Sequence, residues 1–163
     1  MSEEGFLGAG DVLTHARVEF RSQPHPIPAD ARIVYKLAQI ALVLNSFNRK
    51  SASIENLHLF TWSLQSRRRG QMLLSWWAGS RYSNTVTRRS DPHLAVALNV
   101  GLIRGLVSLS GANKNRVTLQ PLGALLVQQI DSDSDLMSAE KTYLQQFNRL
   151  SDAAISRRLV RSS

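Results

Sequence analysis

The chain has 163 residues, 43% of them hydrophobic and 20% charged, with no cysteine. That length accommodates one folded domain with appendages, and the missing cysteines exclude disulfides, thiolate zinc sites and cysteine nucleophiles. The start lacks a signal-peptide pattern and no stretch approaches the ~18 apolar residues of a membrane helix, which points to the cytosol. Lysine and arginine number 20 against 12 acidic residues, a net charge of +8, so an acidic partner is expected: nucleic-acid phosphates or an acidic protein surface.

In chain order, residues 1–29 read as an irregular arm, with a short element near Val12–Phe20 and a stiff connector over Pro24–Pro28. The small-residue string Gly5–Gly10 lacks the Lys-Ser/Thr ending of a phosphate loop and the glycine order of a dinucleotide fold. Asp30 is placed to cap a helix reaching Ser46, in which Ile33, Val34, Leu37, Ile40, Ala41 and Leu44 recur at the spacing of one buried stripe. A second helix starts at Ser51 or Ser53 and carries Ile54, Leu57, Phe60 and Leu64, with Trp62 turned to another side. A third, Arg67–Ala78, offers Met72, Leu73, Trp76 and Trp77 as a broad apolar face, and a polar loop follows over Ser80–Ser90.

Residues 91–130 read as helix, β-hairpin, helix. Asp91 caps a helix whose first position is Pro92, with Leu94, Leu98, Leu102 and Ile103 on one face until Arg104-Gly105 ends it. Alternating strands at Leu106–Ser110 and Arg116–Gln120 flank the turn Gly-Ala-Asn-Lys-Asn, whose glycine and asparagines tolerate tight-hairpin angles. Pro121 opens the next helix, with Leu122, Leu125, Leu126 and Ile130 expected inward. This order matches the closing half of a winged helix. The expected fold is mainly α with a β-hairpin wing: an N-terminal arm at 1–29, a winged-helix domain at 30–130, and an acidic linker with a C-terminal amphipathic helix at 131–163. An unrelated α+β domain with one hairpin is the alternative.

Within the last segment, Asp131–Asp135 reads as a solvated linker and Ser138–Val160 as one helix. Tyr143, Phe147, Leu150 and Leu159 lie close to one face, which marks either a partner interface or packing back onto the domain.

No catalytic constellation emerges. His15, His25, His58 and His93 stand in separate segments without metal-ligand spacing, and the chain is expected to need neither metal nor cofactor. Asp131, Asp133 and Asp135 imitate the start of a calcium loop, but Leu136 stands where its glycine belongs and Thr142 where its closing glutamate belongs. Binding is expected of the arginines. Arg67, Arg68, Arg69, Arg81, Arg88 and Arg89 fall in a stretch without an acidic residue, interleaved with Trp76, Trp77 and Tyr82, as in a backbone-tracking groove or a protein-binding face. Lys114 and Arg116 occupy the wing. The helix at 92–103, which would be the recognition helix, is nearly bare of base-reading side chains, with Asn99 and Arg104 as its long polar groups.

The runs ARIVYKLAQIALVL, SIENLHLFTWSL and LIRGLVSL…NRVTLQPLGALLVQQI, over roughly residues 31 to 130, resemble the small middle component of ABC three-component defence systems, of which the Lamassu middle subunit is one member. That resemblance implies a non-enzymatic subunit that bridges an SMC-like ATPase and an effector nuclease. Double-stranded DNA backbone is a further candidate partner through the arginines. A winged-helix transcriptional regulator is the alternative function, and it would require polar base readers on the recognition helix.

Overall fold

The computed structural model describes residues 29–80, 91–148 and 150–162. Residues 1–28, expected as an arm, residues 81–90, expected as a loop, and the side chain of Leu159 lie outside the described residues. Seven helices and three strands are present among the described residues. None of these helices is long and apolar enough to cross a membrane.

Helix α1 (Ala29–Ser46) is the centre of the molecule. Its seven consecutive residues Ala38–Leu44 are all buried, Gln39 included. A helix apolar on every side has to be wrapped by other elements, and α2 (Ile54–Ser63), α4 (Pro92–Ile103), α5 (Pro121–Ser132) and α6 (Ser138–Gln145) all contact it. Val34, expected in the stripe, instead lies outward at 66% exposure, while its neighbour Ile33 packs against the core.

The chain leaves α1 through a turn in which Lys50 takes a left-handed conformation (φ 51°) and its N–H donates to Phe47 O at 2.8 Å. A strand then appears where the sequence suggested only a helix start: β1 (Ser51–Ser53) pairs antiparallel with β3 (Arg116–Leu119). Ala52 and Val117 face each other there with no exposure. Ser53 is the cap of α2, its Oγ accepting from Asn56 N–H at 3.2 Å. Helix α3 (Arg67–Trp77) begins at the Ser66 cap, and α4 at Asp91, which accepts from His93 N–H at 3.0 Å and is followed by proline at the first helical position.

Strand β2 (Val107–Ser110) and β3 form the expected hairpin, each within one residue of its expected bounds. Gly111 (φ 90°) and Lys114 (φ 50°) supply the left-handed positions of its turn. The sheet order is β1-β3-β2, all antiparallel. Helix α5 then sits directly on the α4–β2 connection. Gln120 N–H donates to Leu106 O at 2.9 Å, and a Cβ on Gly123 would stand 2.3 Å from that same carbonyl, so only glycine permits the approach. The inward stripe of α5 is therefore Gly123, Val127 and Ile130, while Leu122 and Leu125, expected inward, are 51% and 53% exposed.

The C-terminal segment overturns two expectations. Ser138–Val160 is not one helix but two, α6 and α7 (Asp152–Ser162), separated by a bend in which Leu150 O accepts from Asn48 N–H at 3.0 Å. Ser151, whose Oγ accepts from Ala154 N–H at 3.1 Å, starts the second helix. Nor is the segment an appendage beyond residue 130. Met137, Leu144, Phe147, Leu150 and Ile155 belong to the same buried cluster as α1 and the sheet. Phe147 makes edge-to-face contacts with Phe60 and Tyr143, both at 5.1 Å between centroids, and with Trp77 at 5.7 Å. The acidic linker is a tight turn that returns the chain to the core: Asp133 Oδ1 accepts from the N–H groups of Asp135 and Leu136, and Lys141 Nζ donates to the carbonyls of Ile130 and Asp133.

Candidate functional site

The arginines of α3 occupy its first turn. Ser66 Oγ accepts from Arg69 N–H at 3.3 Å, and the Arg69 guanidinium lies 5.3 Å from the centroid of Trp62 on α2 while donating to Gln65 Oε1. Gln65 Nε2 in turn donates to Asp91 Oδ2 at 2.9 Å, and Lys36 Nζ of α1 stands 3.2 Å from the same oxygen. The start of α3 is thus tied to the start of α4. Burial pushes the Asp91 carboxyl up, but Lys36 and the His93 and Leu94 amides outweigh it and hold the group below its ordinary value. His58, half-buried on α2 and close enough to feel Asp91, is shifted down by burial against the pull of that carboxylate. Arg67 and Arg68 are exposed and have no partner among the described residues.

Arg116, expected as a wing cation, is committed elsewhere. Its guanidinium pairs with Asp152 of α7 and donates to Ser51 Oγ at 3.3 Å. Asp152 also accepts from Ser53 N–H at 3.1 Å and Asn56 Nδ2 at 2.7 Å, so one carboxylate fastens the C-terminal helix to the sheet and to the start of α2. The acid that pairs with it is remote in sequence. Lys114 remains exposed in the hairpin turn. Ile54 N–H donates to Asn115 O in that turn, so the ten residues of α2, a rise of roughly 15 Å, separate the wing from Arg67–Arg69. The expected basic residues therefore do not form one cluster. Arg81, Arg88 and Arg89 lie outside the described residues.

The expected interface residues are also relocated. Phe147 and Leu150 are 5% and 0% exposed, and Tyr143 is partly buried, with its phenol pushed up to about 12 chiefly by burial. They pack on the chain's own core because the bend at 146–151 folds them under α2 and α3. Two tryptophans expected to interleave with arginine are covered too: Trp76 is 4% exposed, and Trp77 lies between Phe147 and the Arg158 guanidinium, 4.4 Å from its centroid.

No family model, characterised protein or solved structure matches this chain. The chemistry of its own surface carries the functional reading.

That surface includes an apolar face that the sequence reading missed. On α4, Val96 and Ile103 are 46% and 82% exposed, two turns apart on one side, with Pro92, His93, Ala95 and Asn99 also exposed. The inward side is Leu94, Ala97 and Gly101. A signal for this existed: apart from His93 and Asn99, α4 is apolar, with more such side chains than one packed side can cover. Among the described residues no group of three His, Cys, Asp or Glu is placed to hold a metal ion.

Proposed function

We propose that this chain is a non-enzymatic winged-helix adaptor, working in the cytosol, that docks through the outward face of α4 onto a protein partner. The β1-β3-β2 sheet, with a helix immediately before its hairpin, supports the winged-helix assignment. In a DNA-reading winged helix the element before the hairpin enters the major groove and presents polar side chains to base edges. Here that position belongs to α4, whose exposed residues are the apolar Pro92, Ala95, Val96 and Ile103 with only His93 and Asn99 among them before the Arg104 cap. This is the observation that carries the reading. Exposed apolar side chains at helical spacing gain by being covered, each large one by ~1.5 to 3 kcal/mol, and Asn99 and Arg104 alone are few hydrogen-bonding groups to offset their insertion into a groove. The sequence resemblance supplies the partners: an SMC-like ATPase and its effector nuclease.

Co-expression with a candidate SMC-like ATPase tests the reading. The wild-type chain is expected to co-purify, and Val96→Asp/Ile103→Asp to lose the complex with little change in melting temperature, since Ile103 is mostly and Val96 about half in solvent. At an interface core such changes cost about 2 kcal/mol or more, roughly thirtyfold in Kd. A complex that survives the double substitution rejects the α4 face. Loss of binding to one particular duplex sequence would instead establish the regulator.

A further inference from the structure

We propose that the corner formed by Arg67, Arg68 and Arg69 beside Trp62 is a contact surface for the backbone of double-stranded DNA, independent of the docking face on α4. Three adjacent guanidinium groups are held at the start of α3 with no acidic residue in the same turn. That arrangement repels itself and opposes the helix dipole, which favours acids at this end, so the fold gains nothing from it. The nearest acid tied to this corner, Asp91, is already bonded to Lys36, Gln65 and the His93 amide. Arg67 and Arg68 keep their charge open to solvent, while Arg69 is held in place by Trp62 and Gln65, which lowers the ordering needed to meet an anion.

The surroundings select the kind of anion. Protein interfaces are centred on exposed aromatic or aliphatic anchors, and none of the large exposed apolar side chains, Val34, Tyr35, Val96, Ile103, Leu122, Leu125 and Leu136, belongs to α2 or α3. Single-stranded nucleic acid is bound by stacking its bases on open aromatic faces. Here Trp62 lies under Arg69, Trp77 under Arg158, and Trp76 in the core. What remains is a run of cationic charge without open stacking platforms, the chemistry of contact to duplex phosphates.

Fluorescence anisotropy of the full chain with two duplexes of unrelated sequence, and with their separated strands, tests this. The duplexes should bind with equal affinity and more tightly than either strand. Arg67→Gln/Arg68→Gln should weaken both duplexes about tenfold and lower the slope of log K against log salt by about 1.8, at ~0.9 for each lost phosphate contact. Arg32→Gln/Arg157→Gln removes the same charge from exposed positions elsewhere and should leave the slope within a few tenths. Equal losses in the two double variants, tighter binding of single strands, a loss confined to one sequence, or no duplex binding by the wild-type chain would each overturn the proposal. Val96→Asp/Ile103→Asp should leave DNA binding intact, which separates failure here from failure of the adaptor reading.

Discussion

The outward faces of α4 and α5 and the C-terminal segment 137–155 are written in the same apolar alphabet, at the same helical spacing, and end in opposite environments. Ile103, Leu122 and Leu125 are 82%, 51% and 53% exposed, whereas Phe147, Leu150 and Ile155 are at most 5% exposed. The sequence reading placed Ile103, Leu122 and Leu125 inward and left Phe147 and Leu150 between a partner interface and the domain's own core. Periodicity states that a side chain benefits from cover, and tertiary packing decides which element supplies it. On α4 the decision falls to small residues. A Cβ on Gly101 would lie 3.1 Å from Leu37 and 3.2 Å from Val107, so α1 and β2 close onto the Leu94–Ala97–Gly101 side and Val96 and Ile103 are left outside. The space beneath α2 and α3 is filled instead by Phe147 and Leu150, which arrive late in the chain.

The strongest way to break this comparison is to remove the late segment. Truncation after Asp135 deletes Met137, Leu144, Phe147, Leu150 and Ile155 from the core. At ~1.5 to 3 kcal/mol for each large side chain, the loss matches or exceeds the ~5 to 15 kcal/mol by which a domain is stable. The truncated chain should show no cooperative thermal transition by circular dichroism, and a cooperative melt would mean that 30–130 folds alone. Point substitutions sharpen the same contrast. In urea titrations Leu150→Ala should cost about 2 to 5 kcal/mol, and Ile103→Ala no more than about 0.5. Similar costs at the two sites would erase the distinction.

A smaller effect is expected at the latch that holds the late segment in place. Asp152→Ala leaves Ser53 N–H, Asn56 Nδ2 and Arg116 without their shared acceptor. Because the Arg116 and Asp152 side chains are 39% and 19% exposed, water replaces part of what is lost, and the change should cost about 1 to 2 kcal/mol. Asp152→Asn keeps an oxygen for Ser53 N–H and should recover part of it in the same urea titration. An unchanged midpoint for Asp152→Ala would show that the core alone retains α7.

What the sequence made legible was local. The Asp91-Pro92 start of α4, the hairpin bounds and the Pro121 start of α5 each depend on residues within a few positions of one another, through capping, turn geometry and the fixed φ of proline. Strand β1 was not legible, since Ser-Ala-Ser shows no alternation and becomes a strand only by pairing with β3 more than sixty positions away. The bend between α6 and α7 was hidden because Tyr143, Phe147, Leu150 and Ala154 keep helical spacing straight across it. Among the site residues, Arg67 and Arg68 lie exposed as a run of arginines at a helix start should. The Arg116 ion pair was not legible because Asp152 lies 36 positions downstream, with nothing nearby to announce it.

The smallest expected effect probes the junction where α2 meets the start of α4. Burial lowers the His58 pKa from its ordinary 6.5, against the opposing pull of Asp91, so the folded state resists a proton that the unfolded chain accepts. With more protons bound in the unfolded state, stability rises with pH across that interval. The His58 contribution is complete above about pH 6.5 and is lost as pH falls through the depressed value. Asp91 is also depressed, from 3.8, but its contribution disappears only in a more acidic window, so the two separate along the pH axis. The melting temperature of the wild-type chain should begin to fall below about pH 6.5, well before carboxylates titrate, and His58→Gln should flatten that first decline while leaving the acid limb in place. A first decline of the same size in His58→Gln would assign it to another group, and would leave the α2–α4 junction as insensitive to mild acid as the exposed face of α4 beside it.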